Sequence, residues 1–466
     1  MRAQVVRSGR YVRKLLSVGP AVALLLAATL VAPSLSIADE ENCLSPYTKI
    51  LKGDPDFVYV WTLGVPGMGD GSDKLVTINV NPKSKDYGKV VSTVSVGGRH
   101  EAHHASVNDD RRYLWAFALD DSRIFIFDLH SDPARPKIWK TITTFTKDTG
   151  GVVGPHTPHA LPGRMLISGL SNDKDFGGRT ALVTYSNSGE YIATDWMPTT
   201  DGGDGYGYDV RINPTKNVLL TSSFAGWNNY MMDFGKLLKD EVALKNFGNT
   251  VALWNLHTMK PEKIFKVPGA PLEIRWVLNP NPKYGKAYAF TTTALTSQIW
   301  LIWQDRDDQW HAKAVGDIGD PKKLPLPVVD SLTTDGQGLW VTSFLDGMAR
   351  YYDISDPFNP QVRFEHKIGS QVNMIVKTWD DKRLFFTSSL LSRWDKTGAE
   401  DEQWFKAYTW DTKSLKLEFA IDFYQAKLGR PHQMTLGAYS LYSMKPPEGF
   451  DVSSPPQPPS LTASQQ

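Results

Sequence analysis

A recurring pair of strands is the feature that most constrains the fold of this 466-residue chain. Each copy has a strand of aromatic and β-branched residues, a polar turn and a second strand, which often ends near Asp or Asn. The copies begin near residues 57, 113, 164, 217, 286, 338 and 383, so most of them are spaced about fifty residues apart. Four short strands with their turns fill such a period, which is the size of one β-propeller blade.

The seven strand pairs are Phe57–Trp61 with Lys74–Val80, Tyr113–Phe117 with Arg123–Asp128, Arg164–Ser168 with Thr180–Tyr185, Asn217–Ser222 with Thr250–Asn255, Lys286–Phe290 with Gln298–Trp303, Gly338–Ser343 with Met348–Asp353, and Arg383–Ser388 with Phe405–Trp410. Further short strands follow the first two pairs, at Val90–Val94 and Ile138–Ile142. The sequence therefore predicts an all-β fold, a seven-bladed β-propeller in which each blade covers the apolar face of the next. A pair of β-sandwiches is the alternative, and the regular period argues against it.

The N-terminal residues predict a signal peptide. Five basic residues precede an uncharged apolar run from Leu15 to Val31, and Ser36 and Ala38 supply small residues at the −3 and −1 positions of a cleavage site. An uncleaved membrane anchor is the alternative. We expect a Sec-type pathway to remove residues 1–38, which gives a periplasmic protein with no stable membrane insertion after cleavage.

The remaining chain predicts one propeller domain at residues 39–444 with one insertion and a tail. The long spacing inside the fourth copy leaves Phe224–Asn249, in which four apolar side chains could share one helical face: Leu237, Leu238, Val242 and Leu244. We expect a short helical insertion there, acting either as a lid or as a packing element. Residues 445–466 are rich in Pro, Ser and Gln and predict a disordered tail.

Charge and cysteine content limit the partners and the sources of stability. The chain has a formal charge of +1, and residues 1–38 hold five basic and no acidic groups, so the mature chain has a charge of 1 − 5 = −4. Nucleic acid is therefore not an expected partner, whereas a homo-oligomer stays open. Cys43 is the only cysteine, so no internal disulfide can form and a large core must stabilise the fold.

The histidine pattern predicts a metal site. Five of the ten histidines fall within His100–His104 and Pro155–His159, each just ahead of a strand of the repeat. We expect the first strand of each pair to line the central channel, so the residues just ahead of these strands should meet at one mouth of it. Neutral imidazoles in that place suit copper or zinc. A thiolate copper site is excluded because no blade contains a cysteine. The predicted ligands are His103, His104, His156, His159 and His432.

The adjacent pair His103 and His104 places a condition on the backbone. Adjacent residues such as His103 and His104 point to opposite faces of a regular strand, so both can bind one metal only if the backbone bulges there. The alternative is that these histidines are structural, with ordinary hydrogen-bond partners.

Three carboxyl residues are the predicted catalytic acid–base groups: Asp209, Glu273 and Asp330. They lie ahead of the later strand pairs, in places equivalent to those of the histidines. Glu273 and Arg275 flank Ile274 and so share a strand face, and such a pair is more often structural than catalytic. The sequence contains no Gly-rich phosphate loop and no CxxCH motif, which argues against a nucleotide cofactor or haem.

Several segments, taken in order, resemble the selenium-binding protein / methanethiol oxidase family. They are Asn79–Ser84, Glu101–His104, His156–His159, Gly207–Asp209, Pro271–Arg275, Tyr352–Pro357, Arg383–Leu390 and Trp394-Asp395. The resemblance implies a seven-bladed propeller and, for exported bacterial members, copper held by histidines at the positions of His103, His104, His156, His159 and His432. It also implies a first-blade cysteine in members that bind selenium, whereas Val58–Leu63 contains no thiol here.

The leading hypothesis is a periplasmic copper-dependent oxidase of a small thiol. The resemblance implies methanethiol, O2 and water as reactants, with formaldehyde, hydrogen sulfide and hydrogen peroxide as products. One alternative is a periplasmic propeller that binds copper or another ligand without turnover. Another is an interaction scaffold in which the histidines are structural.

Overall fold

The computed structural model of the protein describes residues 44–51, 53–395 and 403–437. These residues form seven four-stranded antiparallel sheets, which confirms the predicted seven-bladed β-propeller. The predicted signal peptide at residues 1–38, Cys43 and the predicted tail at residues 445–466 lie outside the described residues, and those expectations stay predictions. Within the described residues, none of the helices has the length and apolar character that crossing a bilayer requires.

The first three blades contain the following strands, given from the axis outward. Blade 1 has β28 (Arg430–Gly437), β1 (Phe57–Leu63), β2 (Lys74–Asn79) and β3 (Val90–Ser95); blade 2 has β4 (Ala102–Val107), β5 (Tyr113–Ala118), β6 (Arg123–Asp128) and β7 (Lys137–Ile142); blade 3 has β8 (Val152–Leu161), β9 (Arg164–Asn172), β10 (Ala181–Ser186) and β11 (Tyr191–Trp196).

Blades 4 to 7 follow in the same outward order. Blade 4 has β12 (Val210–Asn213), β13 (Val218–Ser222), β14 (Thr250–Asn255) and β15 (Lys260–Lys266); blade 5 has β16 (Pro271–Val277), β17 (Ala287–Thr293), β18 (Gln298–Gln304) and β19 (Trp310–Asp317); blade 6 has β20 (Pro327–Leu332), β21 (Gly338–Ser343), β22 (Met348–Asp353) and β23 (Gln361–Lys367); blade 7 has β24 (Ile375–Lys377), β25 (Arg383–Thr387), β26 (Trp404–Trp410) and β27 (Leu415–Asp422).

The strand pairs of the sequence repeat are the second and third strands of each blade, so the expectation that the first strand of each pair lines the central channel was wrong. The innermost strands are β4, β8, β12, β16, β20, β24 and β28, and each contacts the next around the ring. His103, His104, His156 and His159 therefore lie on the innermost strands β4 and β8 themselves. Polar residues and bulges interrupt these strands, so they lack the regular two-residue hydrophobic period by which a strand is recognised in a sequence.

Alternating side chains of the second and third strands build the core between blades. In β5, Leu114 and Ala116 pack with Trp61 of blade 1, whereas Trp115 and Phe117 pack with residues of blade 3. All five of these side chains are buried. Because successive side chains of a strand point to opposite faces of the sheet, these strands fill the gaps to the blades on both sides. The hydrophobic effect therefore stabilises the packing of the blades around the ring.

Four innermost strands carry the same type of β-bulge. In each, two residues oppose a single residue of the neighbouring strand, and the bulged pairs are His103-His104, His156-Thr157, Leu272-Glu273 and His432-Gln433. A bulge inserts one residue into the pairing and redirects the side chains. The sheet geometry therefore repeats the same irregularity where the predicted site residues lie.

The strands that carry these bulges begin in a similar way. The residue directly before β4, β8, β16 and β28 has a positive φ: Glu101, Gly151, Ala270 and Gly429 respectively. Leu326, directly before β20, has a φ of 58°. This conformation is unusual for a bulky side chain and costs on the order of 1–3 kcal/mol.

The insertion between β13 and β14 is helical, but it does not form the single helical face that the sequence predicts. It contains three short helices, α2 (Trp227–Met231), α3 (Phe234–Leu237) and α4 (Glu241–Lys245), after the short α1 (Phe145–Asp148) of an earlier connection. Asp233 and Asp240 cap α3 and α4 and break the segment. Of the four predicted apolar residues, only Leu237 is buried, whereas Leu238, Val242 and Leu244 are exposed.

Candidate metal centre

Four imidazoles from three innermost strands meet on the propeller axis. His103 and His104 come from β4, His156 from β8 and His432 from β28. The ring centroids of His103 and His432 lie 4.1 Å apart, as do those of His104 and His156. Candidate ligand atoms of His103, His104 and His432 all lie within 4.8 Å of one another. The fold thus brings together four of the five predicted ligands.

The bulge in β4 explains how two adjacent histidines reach one centre. Ala102 pairs with Ala118 and Ala105 with Ala116, so His103 and His104 together oppose only Phe117. Their ring centroids lie 4.8 Å apart in a stacked arrangement, although a regular strand would send them to opposite faces. The backbone bulge that the ligand set requires is therefore present.

Hydrogen bonds orient the ring of His156. Its Nδ1 lies 3.0 Å from the backbone carbonyl oxygen of Tyr208, so the Nδ1–H donates to that carbonyl and Nε2 carries the lone pair. This Nε2 lies 3.1 Å from Nε2 of His103. The ring centroids of His156 and Tyr208 lie 4.1 Å apart. Tyr208 therefore holds His156 with the lone pair of Nε2 directed toward His103.

Burial keeps the four imidazoles neutral. It lowers the pKa of His156 and of His432 to about 3, against a usual value of 6.5. Burial also lowers the pKa of His103 and His104 well below that value, and the neighbouring imidazoles lower both further. A neutral ring offers a nitrogen lone pair, which is the form that binds a metal ion.

The donor set fits a transition-metal ion. Nε2 of His432 is buried and has no hydrogen-bond partner among the described residues. Nitrogen ligands of one tetrahedral ion lie roughly 3.3 Å apart, given bonds of about 2.0–2.1 Å, which is close to the His103–His156 separation of 3.1 Å. Imidazole-only ligation suits copper or zinc.

His159, the fifth predicted ligand, contacts the next innermost strand. Its Nε2 lies 3.4 Å from the backbone nitrogen of Ile212, and its Nδ1 lies 3.5 Å from Nη1 of Arg211. Both ring nitrogens thus face donors of the protein. Its role as a ligand stays a prediction.

The three predicted catalytic carboxyls come together around two arginines. Asp209 Oδ2 accepts from Arg211 Nε at 2.9 Å and from the backbone nitrogen of Ile274 at 2.8 Å. Glu273 pairs directly with Arg275. Asp330 Oδ1 lies 3.6 Å from Nε of Arg275.

This acidic cluster consists of Asp209, Arg211, Glu273, Arg275 and Asp330, each buried to 1% exposure or less. Three carboxyls face two guanidinium groups. Burial raises the pKa of Glu273 and raises that of Asp330 well above its usual value, while Arg275 opposes both shifts. The cluster therefore favours keeping a proton, and Arg211 connects it to His159 and so to β8.

Sequence reasoning missed two residues near the imidazoles. The carbonyl of Tyr208 fixes His156, and no sequence signal marks a backbone carbonyl of this kind. Tyr230 of α2 lines a cavity together with His103. The sequence analysis expected that the insertion could act as a lid, but its predicted helical face lay elsewhere in the insertion. Tyr230 was therefore only weakly indicated.

The fold and the site define a class of protein: a seven-bladed propeller with a buried polyhistidine centre on its axis. Residues 40–438 match the family model described as 56 kDa selenium-binding protein (SBP56). This match covers most of the chain, and the chain belongs to the 56 kDa selenium-binding protein family.

Two curated relatives show how similar the chain is to known enzymes. The methanethiol oxidase of Ruegeria pomeroyi is 57% identical over 424 residues, which cover 88% of this chain and 96% of the relative. The methanethiol oxidase of a Hyphomicrobium species is 60% identical over 396 residues, with 85% and 90% covered. Both therefore span almost the whole described propeller.

A solved structure agrees with the fold. The hypothetical selenium-binding protein of Sulfolobus tokodaii has a TM-score of 0.70 and 26% identity to this chain. The alignment covers 84% of this chain and 96% of that one. A putative 6-phosphogluconolactonase from Bacteroides fragilis, at 11% identity and a TM-score of 0.55, shares the fold alone.

Proposed function

We propose that the protein is a periplasmic, copper-dependent oxidase of a small thiol. In the reaction, methanethiol, O2 and water give formaldehyde, hydrogen sulfide and hydrogen peroxide, with all atoms balanced. Relatives at 57% and 60% identity that are named methanethiol oxidase support the substrate. The basic and apolar N-terminal residues support export.

The observation that carries the proposal is the group of four buried, neutral imidazoles on the axis. His103, His104, His156 and His432 would hold the ion. Copper, when bound, supplies a Lewis acid for the thiolate sulfur and a redox centre between thiol and oxygen. Zinc fits the same ligands but has no redox chemistry, so oxidation of a thiol selects copper.

The protein's own residues prepare this site. The carbonyl of Tyr208 fixes one ring, and burial keeps the rings neutral and excludes water. The acidic cluster is the proposed acid–base element. The carboxyl of Asp330 holds its proton most readily, because burial raises its pKa and its ion pair with Arg275 is long, at 3.6 Å.

Replacement of one ligand tests the proposal. His103→Ala should lower bound copper and the rate of methanethiol-dependent O2 consumption, each by roughly 100-fold or more. His257→Ala is the matched control, because His257 is exposed. Elemental analysis of each purified protein gives the copper content, and sulfide and peroxide assays should show equal amounts of the two products.

Two results would contradict the proposal. A copper-loaded wild type that consumes neither thiol nor O2 would favour the alternative of a copper carrier. A wild type purified from a copper-supplied host without copper or any other metal would make the imidazoles structural.

A further inference from the structure

A small cavity lies directly beside the imidazoles. It is about 10 Å3 in volume, measured as the space open to the centre of a water-sized sphere, and the void itself extends a further sphere radius in every direction, so it exceeds the size of one water molecule. His103 forms part of its wall, and the rest is almost entirely apolar, with Phe224, Leu326, Leu391 and Trp394 among the lining residues. A ligand in this space would touch a ring of the metal centre and would otherwise meet hydrocarbon.

One polar group in the wall has nothing to bond. The hydroxyl of Tyr230 is buried and has no hydrogen-bond partner among the described residues. The Tyr230 side chain has only 3% exposure. Buried tyrosine hydroxyls usually find a partner, because an unmet donor costs about 1–3 kcal/mol. Because Tyr230 lines the cavity, a ligand that fills it could accept a hydrogen bond from this hydroxyl.

Two segments distant in sequence close the cavity. Nε1 of Trp394 donates to the backbone oxygen of Met232 in the insertion at 3.2 Å. The rings of Trp394 and Phe234 lie 5.0 Å apart, and the backbone nitrogen of Phe234 lies 3.4 Å from the oxygen of Arg393. The helical insertion thus packs against the segment after β25 and covers the cavity beside His103.

We propose that this cavity, named here the thiol chamber, binds the substrate, with the hydroxyl of Tyr230 donating a hydrogen bond to the sulfur. The assignment rests on the proposed oxidation of a small thiol. A methyl group fits the apolar wall, and a sulfur atom, above all as a thiolate, accepts from Tyr230. Each added methylene must displace wall atoms, so the chamber selects thiols with one carbon.

Tyr230→Phe tests the hydrogen bond, because it removes only the hydroxyl. We expect KM for methanethiol to rise about 3- to 10-fold, with copper content unchanged. The stability of the ligand-free protein should be unchanged or higher, because the variant no longer buries an unbonded hydroxyl. Tyr424→Phe, at a 62% exposed tyrosine, is the control and should leave KM unchanged. An unchanged KM in Tyr230→Phe would overturn the role of Tyr230.

Leu391→Ala tests the size of the chamber. The ratio of kcat/KM for propanethiol to that for methanethiol should increase at least about 10-fold, since one methylene changes such a ratio about 10- to 200-fold. Leu114→Ala, at an equally buried leucine between blades, should lower stability without changing the ratio. The same ratio in both variants would overturn the chamber as the substrate site.

Binding of methanethiol without oxygen separates this inference from the proposed function. Quenching of tryptophan fluorescence reports on Trp394 in the wall. If wild type fails to oxidise methanethiol, the proposed function is wrong, and the chamber is judged by whether Leu391→Ala shifts binding toward propanethiol. If wild type oxidises methanethiol while Leu391→Ala shifts neither binding nor the kcat/KM ratio, the chamber alone is wrong.

Discussion

Glu101 and Ser392, which are 291 positions apart in the chain, are joined by two hydrogen bonds. The backbone nitrogen of Ser392 donates to Oε1 of Glu101 at 2.7 Å, and the Ser392 hydroxyl donates to Oε2 at 2.5 Å. Glu101 directly precedes the strand of His103 and His104, and Ser392 directly follows Leu391 of the thiol chamber. The side chain of Glu101 thus connects the strand of His103 and His104 to the chamber wall.

Glu101→Ala should loosen that wall. It leaves the partly buried backbone N–H of Ser392 without its acceptor, so we expect a loss of about 1–3 kcal/mol in unfolding free energy and a several-fold higher KM for methanethiol. Glu101→Gln should restore most of both, because an amide can accept from the N–H and donate to the hydroxyl. Glu190→Ala, at a solvent-exposed ion pair with Lys140, is the control. Equal KM values for Glu101→Ala, Glu101→Gln and Glu190→Ala would show that Glu101 does not support the chamber wall.

His156→Ala and His159→Ala should differ in metal content. His156 directs Nε2 toward His103, whereas both ring nitrogens of His159 face donors of the protein. We expect His156→Ala to lose copper and His159→Ala to keep it, with a lower stability from the lost Arg211 contact. Elemental analysis of the two variants side by side decides this. Equal copper loss in both would make His159 a ligand, as the sequence predicts.

Asp330→Asn should flatten the dependence of stability on pH. Burial raises the folded pKa of Asp330 above its unfolded value of 3.8, with Arg275 and Arg211 opposing and Glu273 and Asp209 adding to the shift. The folded chain therefore keeps a proton that the unfolded chain releases above about pH 4, and stability declines as pH rises from there to the folded pKa. Urea unfolding between pH 5 and pH 8 should show the smaller decline in the variant.

The expected difference in slope for Asp330→Asn is at most about 1.4 kcal/mol per pH unit, the value for one proton. Asp307→Asn, at an exposed aspartate, should follow the wild type. A wild type and an Asp330→Asn variant with parallel pH profiles would mean that Asp330 is ionised in the folded protein.

Arg383→Met should weaken the junction between the last and first blades. Nη1 of Arg383 donates to the backbone oxygen of Val80 at 2.7 Å, and Nη2 lies 3.1 Å from the hydroxyl of Tyr87. The side chain of Arg383 is 7% exposed, and the variant leaves a buried carbonyl unbonded. We expect unfolding in urea to lose about 1–3 kcal/mol. Arg363→Met, at a 58% exposed arginine, should change stability by less than about 0.5 kcal/mol.

The seven blades could be predicted from the sequence because their second and third strands are buried on both faces and apolar. The innermost strands escaped prediction because their bulges break the period and their side chains are polar. The gathering of His103, His104, His156 and His432 was predictable from residue type together with position in the repeat. The bulges at His156 and His432, by contrast, depend on pairing with strands that the sequence does not indicate.

The site also contains features that no local pattern could indicate. Tyr230 reaches the cavity only because the insertion folds back over the axis, a consequence of tertiary packing. Asp209, Glu273 and Asp330 do come together, but two arginines decide how they do so. Equivalent position in a repeat predicts which residues are neighbours, but it does not predict which arginine each carboxyl group pairs with.

The innermost strand of blade 1 is β28, which comes from the other end of the described chain and carries His432. During synthesis, three of the four imidazoles are therefore made long before the fourth. Until β28 arrives, β1 keeps an open edge that invites pairing with other chains. Closure of the ring and arrival of the fourth imidazole are thus one event, so an unfinished polypeptide cannot assemble all four imidazoles.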